Sequence, residues 1–482
     1  MSLLSRRSFL YGAAAFAAAP AYAAVPKSGE VDVVVVGAGA AGIAATRRLV
    51  AAGRRVALIE ASGHVGGRCV TDTRSFGVPF DRGAHWINNS DTNPIARLAP
   101  KEFRIAPAPR GQRLRIGRRN AREGEREDFL VAQERGRRAI IEAARGRADL
   151  SCANALPRDL GDWRPTIDFM LGPYGCGKDL AEVSAVDFAK VDELGIDAIC
   201  PQGYGALLGR LADGLPLALS TPVRRIVWAR GVQVDTNQGQ LLARAAIVTV
   251  STNVLASGSI KFQPDLPKPF ADAFVRLSLG SNDHIALELA GNPLELLSDD
   301  LVFEKAKGIE TAALLGNVSG SSVCVVTVGG RFGRDLATRG EAAMTAFAVD
   351  WLAGLYGADI RKAVKRRTAT NWNGDPFIRG GVSAAAPGSQ PARRLLMVPL
   401  HEHIWFAGEA AHETLYGTVG GAWESGERAA TAVLRQIGEP ARRGRDQAAP
   451  RAERRPSRVT RTSRPAKPNR SESTAAPVPF RD

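Results

Sequence analysis

Apolar runs punctuate this chain at Val33–Val36, Val56–Ile59, 245–250, interrupted only by Thr249, and 404–407. Short runs of this kind, several of them β-branched, predict strands buried on both faces, as in a parallel sheet. Between the first two, an Ala-rich segment running to Ala52 before Gly53 predicts a helix with a glycine stop. Further helices are expected over 129–144, 206–212 and 342–355, the last carrying Trp351, and over about 422–437. Two strands are expected around 223–226 and 231–234, and the runs 312–315 and 323–328 read as a hairpin. The remainder of 88–200 is irregular and charged. The pattern is that of an α/β protein.

The junction between the first strand and the first helix carries specific chemistry. Gly37, Gly39 and Gly42 stand in G-x-G-x-x-G spacing, with Ala41 in the first helical turn. Gly37 permits the tight turn, Gly39 lets the backbone approach a pyrophosphate, and Gly42 lets helix and strand pack closely. Free N–H groups at the helix start then face the phosphates. The second strand ends in Glu60, 23 residues after Gly37, placed to accept from the ribose hydroxyls of a dinucleotide.

Charge changes this picture little. The net charge of +15 suggests nucleic acid, but twelve Lys/Arg against five Asp/Glu after Gly438 place +7 of it in a terminal tail. No basic stripe interleaved with aromatics is visible elsewhere, so no nucleic-acid partner is expected. The tail, 438–482, is rich in Pro, Arg and Ser and is expected to be disordered, with at most weak contact to anionic envelope surfaces. Five scattered cysteines without a C-x-x-C pair define neither a metal site nor a disulfide framework, and six dispersed histidines add no metal signal. Residues 1–23 read as a twin-arginine export signal: Arg6-Arg7, an Ala-rich apolar stretch, and Ala21-Tyr22-Ala23 as cleavage site. The twin-arginine export machinery is therefore an expected partner and the periplasm the expected location.

A resemblance emerges downstream. Gly66-Gly67-Arg68, then Phe80-Asp81-Arg82-Gly83-Ala84-His85-Trp86-Ile87, then Asn93-Pro94-Ile95, together with Gly408-Glu409 and the glycines of 417–421, resemble the FAD-dependent amine oxidases, and most closely their polyamine oxidase branch. The resemblance covers about 30–437. It implies a Rossmann-like FAD-binding domain (30–87, 201–284, 395–437) interleaved with an α+β substrate-binding domain (88–200, 285–394). It further implies that Gly67 and Arg68 lie against the cofactor, that Gly83, Ala84, His85 and Trp86 pass beside the isoalloxazine, and that Val223 reaches adenine through its backbone. Gly408 and Glu409 would hold the ribityl chain, Thr418 and Val419 the pyrimidine edge, and Trp372 would stand near the flavin. The N-terminus of the last helix, with its partial positive charge, would face the edge where negative charge collects on reduction.

Several positions depart from the resembled pattern. Ser62 replaces an arginine, and His284 stands where many members place a lysine bridged through water to flavin N5. Gly381 occupies the position of the cysteine that attaches FAD in some members, so FAD is expected to be non-covalent. The aromatic pair that sandwiches the amine is Val382 and Thr418 here, and Asn88 replaces a histidine. His284 and Trp372 are the expected catalytic residues, with Asn88, Val382 and Thr418 in the substrate pocket. A histidine, with a reference pKa near 6.5, would titrate within the neutral range. The resulting expectation is an exported FAD oxidoreductase acting on a C–N bond, with oxygen or another acceptor reoxidising the flavin. The alternatives are a desaturase or dehydrogenase of the same superfamily and a non-catalytic flavin-containing binding protein.

Overall fold

Five parallel strands form the sheet around which the cofactor-type motif is built. A computed structural model describes residues 31–191 and 198–438. The expected signal peptide (1–23) and the tail beyond Gly438 lie outside the described residues. Strand β1 (Val33–Val36) is central, pairing with β2 (Val56–Ile59) on one side and with Ala245–Val248 on the other; Val33 stands opposite both Val56 and Ala245. Ile404–Phe406 and Leu217–Ala218 complete the two edges. All four valines of β1 are buried because both faces are covered. Val33 and Val35 pack under helix α1 (Ala40–Ala51) and the C-terminal helix Val419–Ile437, while Val34 and Val36 face a second cluster with Ile226, Phe274 and Phe406.

A seven-stranded sheet runs Val364–Ala369, Asn282–Leu289, Val323–Gly329, Ala313–Gly316, Asp300–Glu304, Gly111–Ile116, Arg119–Asn120. Its pairings are antiparallel except that of Asp300–Glu304 with Gly111–Ile116. Alternation along Asp300–Glu304 divides two cores. Val302 packs with Trp351 and Leu352 of the helix Glu341–Tyr356, whereas Leu301 and Phe303 pack with Phe129 and Ile140 of the helix Glu123–Ala143.

Three expectations shift. The helix expected over 129–144 begins at Glu123, where Glu125 accepts from the Arg122 amide at 2.8 Å, a polar start that hydrophobic spacing does not register. The region 88–200 also contains the strand Gly111–Ile116 and short helical turns at Cys152–Ala155, Arg164–Phe169, Met170–Tyr174 and Ala185–Phe188. The C-terminal helix starts at Val419, three residues before the expected Ala422, because the Thr418 hydroxyl accepts from the Gly421 amide at 2.9 Å. All five cysteines are free thiols. Among the described residues no helix is long and apolar enough to cross a membrane, and no three metal-ligating side chains converge.

Candidate active site

One cavity of about 1070 Å³ gathers almost every residue singled out from the sequence. Its volume slightly exceeds the range of ordinary small-molecule pockets, about 300–1,000 Å³. At one end the turn from β1 into α1 forms the wall through Gly37, Gly39 and Ala41. Gly42 stands behind this wall, where a Cβ would lie 1.8 Å from the Gly37 carbonyl oxygen, so only glycine lets helix and turn approach. A Cβ on Gly39 would meet nothing within 4 Å, and no side chain caps the start of α1. A backbone cradle with its helical N–H groups turned toward open space fits a pyrophosphate.

Glu60 closes this end. Its Oε2 accepts from the Ala38 amide at 2.7 Å, and its Oε1 accepts from the Ser62 amide at 2.8 Å and hydroxyl at 2.9 Å. Ser62, a departure from the resembled pattern, therefore braces the acid. Val223 lines the same end, beside Thr221 and Arg224.

In the middle, Arg68 Nη1 donates to Glu409 Oε1 at 2.9 Å and to the Gly381 carbonyl at 2.5 Å. Glu409 Oε2 accepts from Ser383 Oγ at 2.6 Å and from the Gly417 amide at 3.0 Å. Burial alone would raise the Glu409 pKa, but the charge of Arg68, the Ser383 bond and the charge of Arg393 bring it below the ordinary value. Gly67, Gly83, Ala84, His85, Trp86, Asn88, Gly408, Thr418 and Val419 share this wall. A Cβ on Gly381 would lie 2.9 Å from Asn282 Cβ, so a side chain there is crowded.

His284 and Trp372 converge on the same wall, though from an unexpected place. His284 is the third residue of the strand Asn282–Leu289, within the seven-stranded sheet rather than before it. Its Nδ1 lies 3.3 Å from the Asp81 carbonyl, which only accepts, so Nδ1 carries the proton and Nε2 is the acceptor. The ring centres of His85 and His284 are 5.0 Å apart. Burial pushes His284 down to about 4, and burial together with His284 pushes His85 down to about 3. The expectation that His284 titrates in the neutral range is thereby corrected: both rings are neutral there. Burial instead raises Asp81 to about 6, against opposing bonds from Thr71 Oγ1 and the Tyr204 and Gly205 amides.

Asp283, without sequence signal, places Trp372. Its Oδ1 accepts from the Trp372 amide and from Thr370 Oγ1, each at 2.9 Å, and Thr370 Oγ1 also accepts from the His284 amide. The Trp372 ring then lies so close to Gly83 that a Cβ there would be 3.1 Å away.

The far end is largely apolar and was not legible in the sequence. Met170, Leu171, Tyr174, Phe188 and Tyr416 line it, with Val382 nearby. Thr418 contributes less than expected as a pocket side chain, since its hydroxyl caps the C-terminal helix and donates to the Leu415 carbonyl at 2.7 Å. Tyr174 and Tyr416 bring aromatic side chains to this cavity, which Val382 and Thr418 do not.

A strand–turn–helix cradle, a terminal acid and a half-buried Arg–Glu pair on one cavity define a flavoenzyme-like site. The sequence model for "Flavin containing amine oxidoreductase" matches residues 40–434, and the chain belongs to that family. Among curated relatives, lysine-specific histone demethylase 1B of Mus musculus is 27% identical over 83% of this chain and 52% of its own length. Polyamine oxidase 2 of Arabidopsis thaliana is 28% identical over 86% of this chain and 91% of its own. The chain thus spans about half the length of the demethylase but nearly all of the polyamine oxidase. In fold it is similar to cyclohexylamine oxidase from Brevibacterium oxydans IH-35A, with a TM-score of 0.71 at 21% identity over 85% of this chain and 99% of that one.

Proposed function

We propose that the protein is a FAD-dependent oxidoreductase that oxidises the C–N bond of an amine, with FAD held non-covalently. The observation that carries this reading is the single cavity in which the Gly39 cradle, Glu60 and the Arg68–Glu409 pair adjoin an apolar, aromatic end. FAD bound there would take up two electrons from the amine and pass them to oxygen or another acceptor. The chain's own residues supply the rest. The α1 N-terminus and Gly39 receive phosphate, Glu60 accepts from ribose hydroxyls, and Glu409 with Arg68 fixes the central wall. Tyr174, Phe188 and Tyr416 orient the amine by apolar contact and exclude water, and this desolvation favours its neutral, reactive form. The neutral His284 offers an acceptor rather than a charge. The imine product hydrolyses to a carbonyl compound and an amine or ammonia.

The names of the relatives, polyamine oxidase and cyclohexylamine oxidase, support small amines as the substrate class. The twin-arginine pattern supports export to the periplasm as part of the same reading. The test is product analysis: purified protein supplied with an amine and either oxygen or a dye acceptor is expected to yield an aldehyde or ketone. Flavin-loaded protein that converts no amine with any acceptor would overturn the proposal.

A further inference from the structure

A fully buried ion pair sits behind the cavity wall. Arg393 and Asp187, both without exposed surface, form a forked pair with Nε to Oδ1 at 2.7 Å and Nη2 to Oδ2 at 2.8 Å. Asp187 also accepts from the Ala385 amide at 2.9 Å. Burying two charges costs several kcal/mol per ion before their attraction is counted, and a well-packed apolar pair often does as well for stability. Stability alone therefore explains such a pair poorly.

The remaining contacts of Arg393 lead to the site. Its Nη1 donates to Ser383 Oγ at 3.2 Å, and Ser383 Oγ donates to Glu409 Oε2 at 2.6 Å. Its guanidinium lies 3.5 Å from the ring centre of Tyr416, whose hydroxyl donates to the Asp187 carbonyl at 2.9 Å. Tyr416 and Gly417, the latter donating its amide to Glu409, both line the cavity. Contacts thus run without a break from Asp187 through Arg393, Ser383 and Glu409 to Arg68. The same short helix, Ala185–Phe188, carries Asp187 and presents Phe188 to the apolar end.

We propose that Arg393, anchored by Asp187, is a positioning residue that fixes Ser383 and Tyr416 and so holds the Arg68–Glu409 pair where it meets the flavin. The proposal rests on the functional reading only in taking the ligand to be FAD. Its physical content is that a planar fork reaches a carboxylate, a hydroxyl and a ring face at once, which a lysine cannot do.

Arg393→Gln alone would leave Asp187 buried without a counter-charge and would destabilise the fold. The deciding variant is the double substitution Asp187→Asn with Arg393→Gln, which removes both charges and keeps hydrogen-bonding amides. The full-length double variant is expected to unfold near the wild-type temperature, yet to release FAD on dilution with a Kd about tenfold higher, the loss of roughly one charge-assisted bond. Its flavin absorption bands should shift as well. A folded double variant with wild-type FAD affinity and spectrum would overturn the proposal. So would one that cannot fold, since the charges would then serve the fold itself. Flavin held normally by a wild-type protein that turns over no amine would sink the functional reading and leave this one standing, because affinity and spectrum are read here rather than turnover.

Discussion

Arg68 and Glu409, 341 positions apart in the sequence, meet in an ion pair of 2.9 Å on the cavity wall. Arg68 follows the glycine pair at Gly66 and Gly67, and Glu409 follows the last strand of the parallel sheet. The pair therefore joins the two ends of the folded chain at one site, and Ser383 and the Gly417 amide complete its hydrogen bonding.

Glu409→Gln should weaken FAD binding by about tenfold or more, because it removes a charge-assisted bond and leaves Arg68 without its counter-ion. Equilibrium dialysis of FAD against wild type and variant measures this, and equal affinities would remove Glu409 from the cofactor site. The lowered Glu409 pKa also has a sign. The ionised form is favoured in the fold, so its contribution to stability is present above the unfolded value, about 4.3, and is lost as pH falls through the lower folded value.

At the other end, Glu60→Ala should cost about 1.5–3 kcal/mol of FAD affinity, the range for a bond to a charged group. The variant loses both the ribose acceptor and the bond that steadies the Ala38 amide. Ser62→Ala should cost less, about 0.5–1.5 kcal/mol, because the Ser62 amide still reaches Glu60. Titration with FAD ranks the two, and a Ser62 effect larger than the Glu60 effect would contradict the bracing role.

His284 should be neutral throughout the working range. With His284 lowered to about 4 and His85 to about 3, ring nitrogen NMR shifts should report neutral imidazoles above about pH 5. Both pKa values are depressed in the fold, so the stability they contribute is present above about 6.5 and is lost as pH falls toward the folded values. His284→Ala should slow one flavin half-reaction by about tenfold, the loss of one hydrogen-bond acceptor, without changing the shape of its pH profile above pH 6. A profile whose neutral-range inflection vanishes in the variant would show that His284 does titrate there.

What the sequence revealed of this site follows from how locally each part is encoded. The β1–α1–β2 unit was legible because an all-valine strand, three spaced glycines and a terminal acid each express local geometry within some 30 residues. Trp372 and Glu409 were legible only through their resemblance to family motifs. Tyr174 and Phe188 gave no signal, since they reach the cavity from helical turns of four or five residues, too short to show a period. Asp187 and Arg393 lie 206 positions apart, and nothing near either one announces a buried partner.

Export can be checked at the chain terminus. The Arg6-Arg7 pair and the Ala21-Tyr22-Ala23 site predict that mature protein begins at Ala24 and collects in the envelope fraction. Mass spectrometry of the N-terminal peptide from each fraction decides it, and an intact Met1 or Ser2 terminus confined to the cytoplasm would refute the expectation.

The most direct test of the amine-oxidising account is anaerobic mixing of the flavin-loaded protein with mono-, di- and polyamines and amino acids while flavin absorbance is followed. At least one amine should bleach the flavin at a rate that saturates with concentration, and readmitted oxygen or an added acceptor should restore the colour. A flavin that stays oxidised with every amine, or a protein that retains no FAD when purified, would contradict it.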